Sequence, residues 1–183
     1  MAGRILVVAG PSGSGKSSIV RELIDRLDIE FSVSATTRLP RPGEVHGVHY
    51  DFVSRRDFEA MIENDELLEW AVYNNRFYGT PARPIDEIVE AGKDVMLEID
   101  IQGARQVREH RPDAVMFFIA PPSLEELEMR LRRRGDTSEE DIEDRLEIAE
   151  SEMAEAPVLF DHVVVNENLD QAVADIVQLI TGG

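Results

Sequence analysis

Apolar residues in this chain follow two kinds of pattern. Unbroken runs stand at 5–9, 95–97, 114–119 and 163–165. Strands buried on both faces carry no polar alternation, so these runs read as strands of a parallel sheet. Between them, apolar positions recur at helical spacing over 18–27, 83–92, 102–110, 124–134, 138–153 and 170–180. That is the period of helices burying one face. Ser123 with Glu126 fits a capping box at the start of the helix that runs into Arg134-Gly135. Strands alternating with helices predict an α/β fold, a parallel sheet core flanked by helices on both faces. Ligands on such sheets sit beyond the carboxyl ends of the strands.

Residues 32–80 break the alternation. They carry Thr36-Thr37-Arg38, a turn at Pro40-Arg41-Pro42-Gly43, and the aromatics Tyr50, Phe52, Tyr73, Phe77 and Tyr78. Short β segments around 48–53 and 68–78 flank a helix near 55–65, which predicts a small mixed α/β insertion. The run at 94–100 ends in acids. Continued as a strand, it places Glu98 and Asp100 on one side by the period of two.

The chemistry is concentrated in Gly10-Pro11-Ser12-Gly13-Ser14-Gly15-Lys16-Ser17, followed by Ser18. This is the phosphate loop G-x-x-x-x-G-K-[ST], and it stands between a predicted strand and a predicted helix, the context the motif requires. Glycines let backbone N–H groups close around phosphate oxygens, and the helix N-terminus adds its positive dipole end. Lys16 can bridge terminal phosphates and the Ser17 hydroxyl can hold Mg²⁺.

A formal charge of −18 argues against nucleic acid and anionic membranes as partners. The positive charge that polyanions need must therefore be local. Of 19 basic residues only Lys16 and Lys93 are lysines, and arginines gather at Arg38/Arg41 and at Arg130, Arg132, Arg133, Arg134 and Arg145. Arginine suits bidentate phosphate contacts. Arg132 and Arg133 read instead as solvated partners of the acids on their helix. Cysteine is absent, which is compatible with a reducing cytoplasm. No run approaches the about 20 apolar residues of a membrane span. The N-terminus enters a strand almost at once, unlike a secretory signal. The four histidines read as surface or hydrogen-bonding residues rather than metal ligands.

With these residues in view, the chain resembles the guanylate kinase family over nearly its whole length. Between Thr36 and Phe52, the family signature is met by Thr36, Thr37, Arg38, Arg41, Glu44, Gly47, Tyr50 and Phe52. Tyr78-Gly79-Thr80, Ile99-Asp100-Ile101-Gln102-Gly103, Ile119-Ala120-Pro121-Pro122-Ser123, Arg134-Gly135 and Val165-Asn166 stand where the family has similar residues.

The resemblance implies a P-loop nucleoside monophosphate kinase, with ATP and GMP as small-molecule substrates, Mg²⁺ as cofactor and dGMP an open question. It implies a core at about 1–32, 81–123 and 154–183, a GMP-binding insertion at about 33–80 and a helical lid at about 124–153. Arg38, Arg41, Tyr50 and Tyr78 would hold the GMP phosphate, and Ser34, Glu69 and Thr80 would read guanine. Arg134 and Arg145 would reach from the lid to the transferring phosphoryl group. Arg130 and Asn166 would line the adenine side, and Asp100 would serve the guanine or metal end. Glu98 departs from the Asp that many relatives carry.

The residues make chemical sense of that assignment. The acceptor phosphate is already an anionic nucleophile, so positioning and charge matter more than a general base. Guanine offers two N–H donors to a carboxylate, while adenine would leave it unpaired. Two other readings stay open: a non-catalytic guanylate-kinase-like interaction module, and a kinase for another small acceptor such as AMP, a pyrimidine nucleotide or shikimate. No nucleic acid, membrane or dedicated protein partner is expected, and the cytoplasm is the expected location.

Overall fold

A computed structural model describes residues 2–134 and 138–182, the side chain of Arg134 excepted. Gly135 and the Arg134 side chain thus lie outside the described residues.

The run at the N-terminus is β1 (Ile5–Ala9), and all five of its residues are buried. It sits at the centre of a five-stranded sheet with β2 (Ile29–Phe31), β7 (Asp94–Glu98), β8 (Val115–Ala120) and β9 (His162–Val165) in the order β2-β7-β1-β8-β9. Every neighbouring pair is parallel, with Val7 opposite Leu97 on one side and Met116 on the other. Strand alternation divides β1 between two cores. Ile5, Val7 and Ala9 pack with α3 (Ala82–Glu90), α4 (Ile101–His110) and the end of α6 (Glu139–Leu159) through Ile85, Ala104, Val107 and Ala156. Leu6 and Val8 face α1 (Lys16–Arg26) and α7 (Leu169–Thr181) through Ile19, Leu23, Val173 and Ile176. This two-sided burial is why the strands carry no polar alternation.

The insertion builds a second, four-stranded sheet in the order β4-β3-β6-β5. Its strands are β3 (Ala35–Thr36), β4 (Asp51–Phe52), β5 (Leu67–Tyr73) and β6 (Arg76–Pro81), with α2 (Arg55–Glu63) capped by Ser54. The predicted segment at 68–78 is a hairpin. Asn74 and Asn75 both take positive φ (47° and 57°), the two-residue turn whose twist matches paired strands. A third apolar cluster, Leu127, Leu131, Ile142 and Ala149, joins α5 (Leu124–Arg134) to α6. Ser123 Oγ accepts from Glu126 N at 3.2 Å, the cap the spacing predicts.

Two expectations are corrected. The α6 helix does not stop near 153 but continues through Pro157 to Leu159, because Ala156 and the Phe160 that follows are buried in the sheet core. Asp100 is not on a strand face with Glu98. The β7 strand ends at Glu98, and Asp100 is the N-cap of α4, its Oδ1 accepting from Gly103 N at 2.8 Å. Among the described residues, no helix is long and apolar enough to cross a membrane.

Candidate active site

The phosphate loop joins the carboxyl end of β1 to the first turn of α1. Gly15, the N-cap of α1, has φ 97°, and a Cβ there would stand 2.3 Å from Asn166 Nδ2. Both the backbone and the neighbour therefore require glycine. Asn166 is itself buried and donates from Nδ2 to Ser14 O at 2.8 Å, bracing the loop from behind. Ser14 is fully buried and its Oγ has no hydrogen-bond partner among the described residues. Lys16 Nζ curls onto the loop carbonyls of Gly10 (2.5 Å) and Pro11 (2.9 Å). Ser17 Oγ donates to Glu98 Oε1 at 2.6 Å. Among the described residues no cluster of three His, Cys, Asp or Glu could hold a metal. Hydroxyl oxygen together with nucleotide phosphates is nevertheless a donor set that suits Mg²⁺, which is held by few protein ligands at such sites.

On the insertion side, three predicted residues meet. Thr80 Oγ1 donates to Glu69 Oε1 at 2.6 Å, and Ser34 Oγ lies 3.4 Å from Thr80 Oγ1. Since Thr80 directs its proton to Glu69, Ser34 is the donor of that second pair. Glu69 is only 5% exposed. Burial pushes its carboxyl up to about 7, nearby Asp100 adds to the shift, and the Thr80 hydrogen bonds oppose it. A β-bulge between Leu67 and Glu69 explains how this acid comes to be inside. It lets Leu68 and Glu69, neighbours in sequence, both be buried.

The predicted phosphate-holding residues lie further along the same sheet. Arg38 stands over Tyr50 (5.4 Å) and Phe52 (5.7 Å), and Tyr50 meets Tyr78 edge-on at 6.1 Å. Glu44 takes both guanidinium arms of Arg38 at 2.8 Å and also the backbone N–H of Arg41 at 2.6 Å. The Arg38 and Arg41 hydrogen bonds hold its carboxyl down at about 2. Glu44 thus fills, with two oxygens, the fork that a phosphate would use. Arg41 is exposed, at the mouth of this group.

From α6, Arg145 Nη1 donates to Ser12 Oγ at 3.3 Å. Arg130 donates to Asn166 O at 3.0 Å while paired with Glu126. Arg132 pairs with Glu128 and Glu139, the solvated role expected of it. His46 and His49 each use Nδ1 to accept a backbone N–H, from Phe52 and Val45.

Sequence reasoning passes over three features. Glu44 is visible only as a signature position. The Glu98–Ser17 bond gives the departing Glu98 a definite partner. Glu152, on α6, has a buried Oε2 without a hydrogen-bond partner. Burial raises its pKa, while Lys16 opposes the shift and Asp100 adds to it. Only its place in a helical period marks it in the sequence.

The family model described as guanylate kinase matches residues 2–182. The chain belongs to the guanylate kinase family. It is 51% identical over 179 residues to a guanylate kinase of Synechococcus sp. (strain JA-3-3Ab), covering 97% of this chain and 82% of that protein. It is 49% identical over 181 residues to a guanylate kinase of Thermus thermophilus, covering 99% and 82%. The crystal structure of guanylate kinase from Anaplasma phagocytophilum superposes with a TM-score of 0.79 at 34% identity, covering 99% of this chain and 86% of that one. Transfer of phosphate from ATP to GMP is the activity of the guanylate kinase family.

Proposed function

We propose that this chain carries out the family reaction, ATP + GMP ⇌ ADP + GDP, with the residues described above in the following roles. An oxygen of the GMP phosphate forms a bond to the γ-phosphorus of ATP as the bond to the β,γ-bridging oxygen breaks. Lys16 and the loop N–H groups hold the ATP phosphates, and Arg145, reaching Ser12, adds positive charge beside them. Arg134 would join from the same lid. Arg38, Arg41, Tyr50 and Tyr78 hold the acceptor phosphate, Arg38 exchanging Glu44 for it. Arg130 and Asn166 border the adenine side. Mg²⁺, when bound, supplies charge neutralisation on the polyphosphate oxygens, and Ser17, oriented by Glu98, would hold it.

The observation that carries the choice of acceptor is the buried Glu69 carboxylate, joined to Thr80 and through it to Ser34. An ionised carboxylate accepts both N1–H and N2–H of guanine, and adenine leaves it buried and unpaired. Asp100 lies near enough to raise the Glu69 pKa, which supports a role for it at the guanine end. The insertion at about 33–80 and the lid at about 124–153 act as the closing parts, excluding water as the site completes. An ADP-release assay against a panel of nucleoside monophosphates tests the reading. Turnover with GMP far above AMP, CMP and UMP supports it. Equal rates, or none with GMP, defeat it.

A further inference from the structure

Gly103 stands in the first turn of α4, where alanine favours a helix more than glycine does. Its backbone does not ask for glycine, since it is not among the glycines with positive φ. The space around it does. A Cβ at 103 would lie 2.4 Å from Glu69 Oε2, 2.9 Å from Glu69 Cδ and 3.3 Å from Glu69 Cγ. All three crowded atoms belong to one side chain. Three residues along the same helix face, Gln106 donates from Nε2 to Trp70 O at 2.7 Å and accepts from Trp70 N through Oε1 at 3.0 Å. One face of α4 therefore carries the Glu69 carboxylate on a bare Cα and clamps the backbone of the next residue. The start of that helix is itself fixed by the Asp100 cap on Gly103 N.

We infer that Gly103 and Gln106 are positioning residues for base selection. They act through Glu69, by setting where its carboxylate stands. Oε1 is held by Thr80 and Oε2 rests over Gly103, so a methyl group at 103 must turn the carboxylate and disturb its aim at two guanine donors. Loss of the Gln106 clamp frees β5 next to Glu69. This inference rests on Glu69 being the guanine reader.

The test is steady-state kinetics of Gly103→Ala and Gln106→Leu with GMP and AMP at saturating ATP, alongside thermal melts. Gly103→Ala should raise KM for GMP about tenfold or more, raise it by a larger factor than it lowers kcat, and lower the GMP/AMP ratio of kcat/KM, as expected when paired donors and acceptors are misaligned. Its melting temperature should hold or rise, because alanine favours the helix. Gln106→Leu should lower the same ratio by a smaller factor. In a Glu69→Asp background, one methylene shorter, the added methyl at 103 should cost little, and that non-additivity marks action through Glu69. An unchanged GMP/AMP ratio in both Gly103→Ala and Gln106→Leu overturns the inference. So does an equal loss from Gly103→Ala in the two Glu69 backgrounds. Glu69→Gln separates the failures: if it leaves the ratio intact, the base reading itself falls, and if it lowers the ratio while Gly103→Ala and Gln106→Leu do not, only the positioning role falls.

Discussion

Ser17 Oγ and Glu98 Oε1 lie 2.6 Å apart, tying the phosphate loop to the carboxyl end of the neighbouring strand. The hydroxyl proton is committed to Glu98, which turns the oxygen lone pairs of Ser17 toward the space where a cation would sit. An outer carboxylate of this kind typically matters about 10- to 100-fold in metal affinity or activity. Glu98→Ala should therefore lower kcat within that range and raise the Mg²⁺ concentration needed for half-maximal rate. A Mg²⁺ titration of the variant that overlays the parent curve would show that Glu98 does not orient Ser17.

Lys16→Ala should remove most turnover and leave the fold intact. The ammonium sits within the loop, on Gly10 O and Pro11 O, and not in the apolar cores. Loss of a preorganised transition-state donor costs about 3 kcal/mol or more, at least a hundredfold in rate. Near-normal kcat in this variant, with an unchanged melting temperature, would contradict the kinase mechanism given above.

The Glu69 carboxyl, pushed up to about 7 by burial, should make GMP recognition pH-dependent. Guanine donors need the ionised form, so the group must be deprotonated when GMP binds. Below pH 7, KM for GMP should rise, approaching about tenfold per pH unit from this one group. The GMP phosphate has a second pKa near 6 and titrates in the same window. The Glu69→Gln variant retains that phosphate titration and loses the carboxyl contribution, so its KM profile should be flatter between pH 6 and 7.5. The sign for stability is the reverse. The folded pKa lies above the unfolded value, so the nucleotide-free protein binds the extra proton between about 4.5 and 7, and this group's contribution to stability falls as pH rises through that window. Parallel KM profiles for parent and variant would refute the assignment.

Much of this architecture is legible because its signals are local. The phosphate loop is contiguous, and β1 is buried at every position, so a plain apolar run is sufficient. What stays hidden depends on contacts between distant segments. The three residues of β2 are too few to show a period, and only their pairing with β7 makes them a strand. Asp100 continues the alternation of β7 on paper, yet the chain turns there to cap α4. Glu69 looks like any surface acid beside Trp70. Its burial follows from the bulge after Leu67 and from the empty space over Gly103, neither of which leaves a mark in the neighbouring residues.

A formal charge of −18 sets like charges close together, which opposes the compact state. The Glu139–Asp144 segment holds five acids in six residues. The structure shows part of the compensation. Glu139, Glu140 and Asp141 lie in the first turn of α6, where the helix dipole favours negative charge, and Glu139 also pairs with Arg132. Glu143, Asp144, Glu147 and Glu150 follow on exposed positions beyond the reach of that dipole. Salt shortens the range of their repulsion from about 10 Å at 0.1 M to about 3 Å at 1 M. The melting temperature should therefore rise between low salt and about 1 M KCl at fixed pH and Mg²⁺. Turnover should rise less, or fall, because the same screening weakens the arginine–phosphate contacts proposed above. A melting temperature that stays flat or drops across the titration would mean that salt weakens the ion pairs and the helix-dipole attraction by more than it relieves the repulsion.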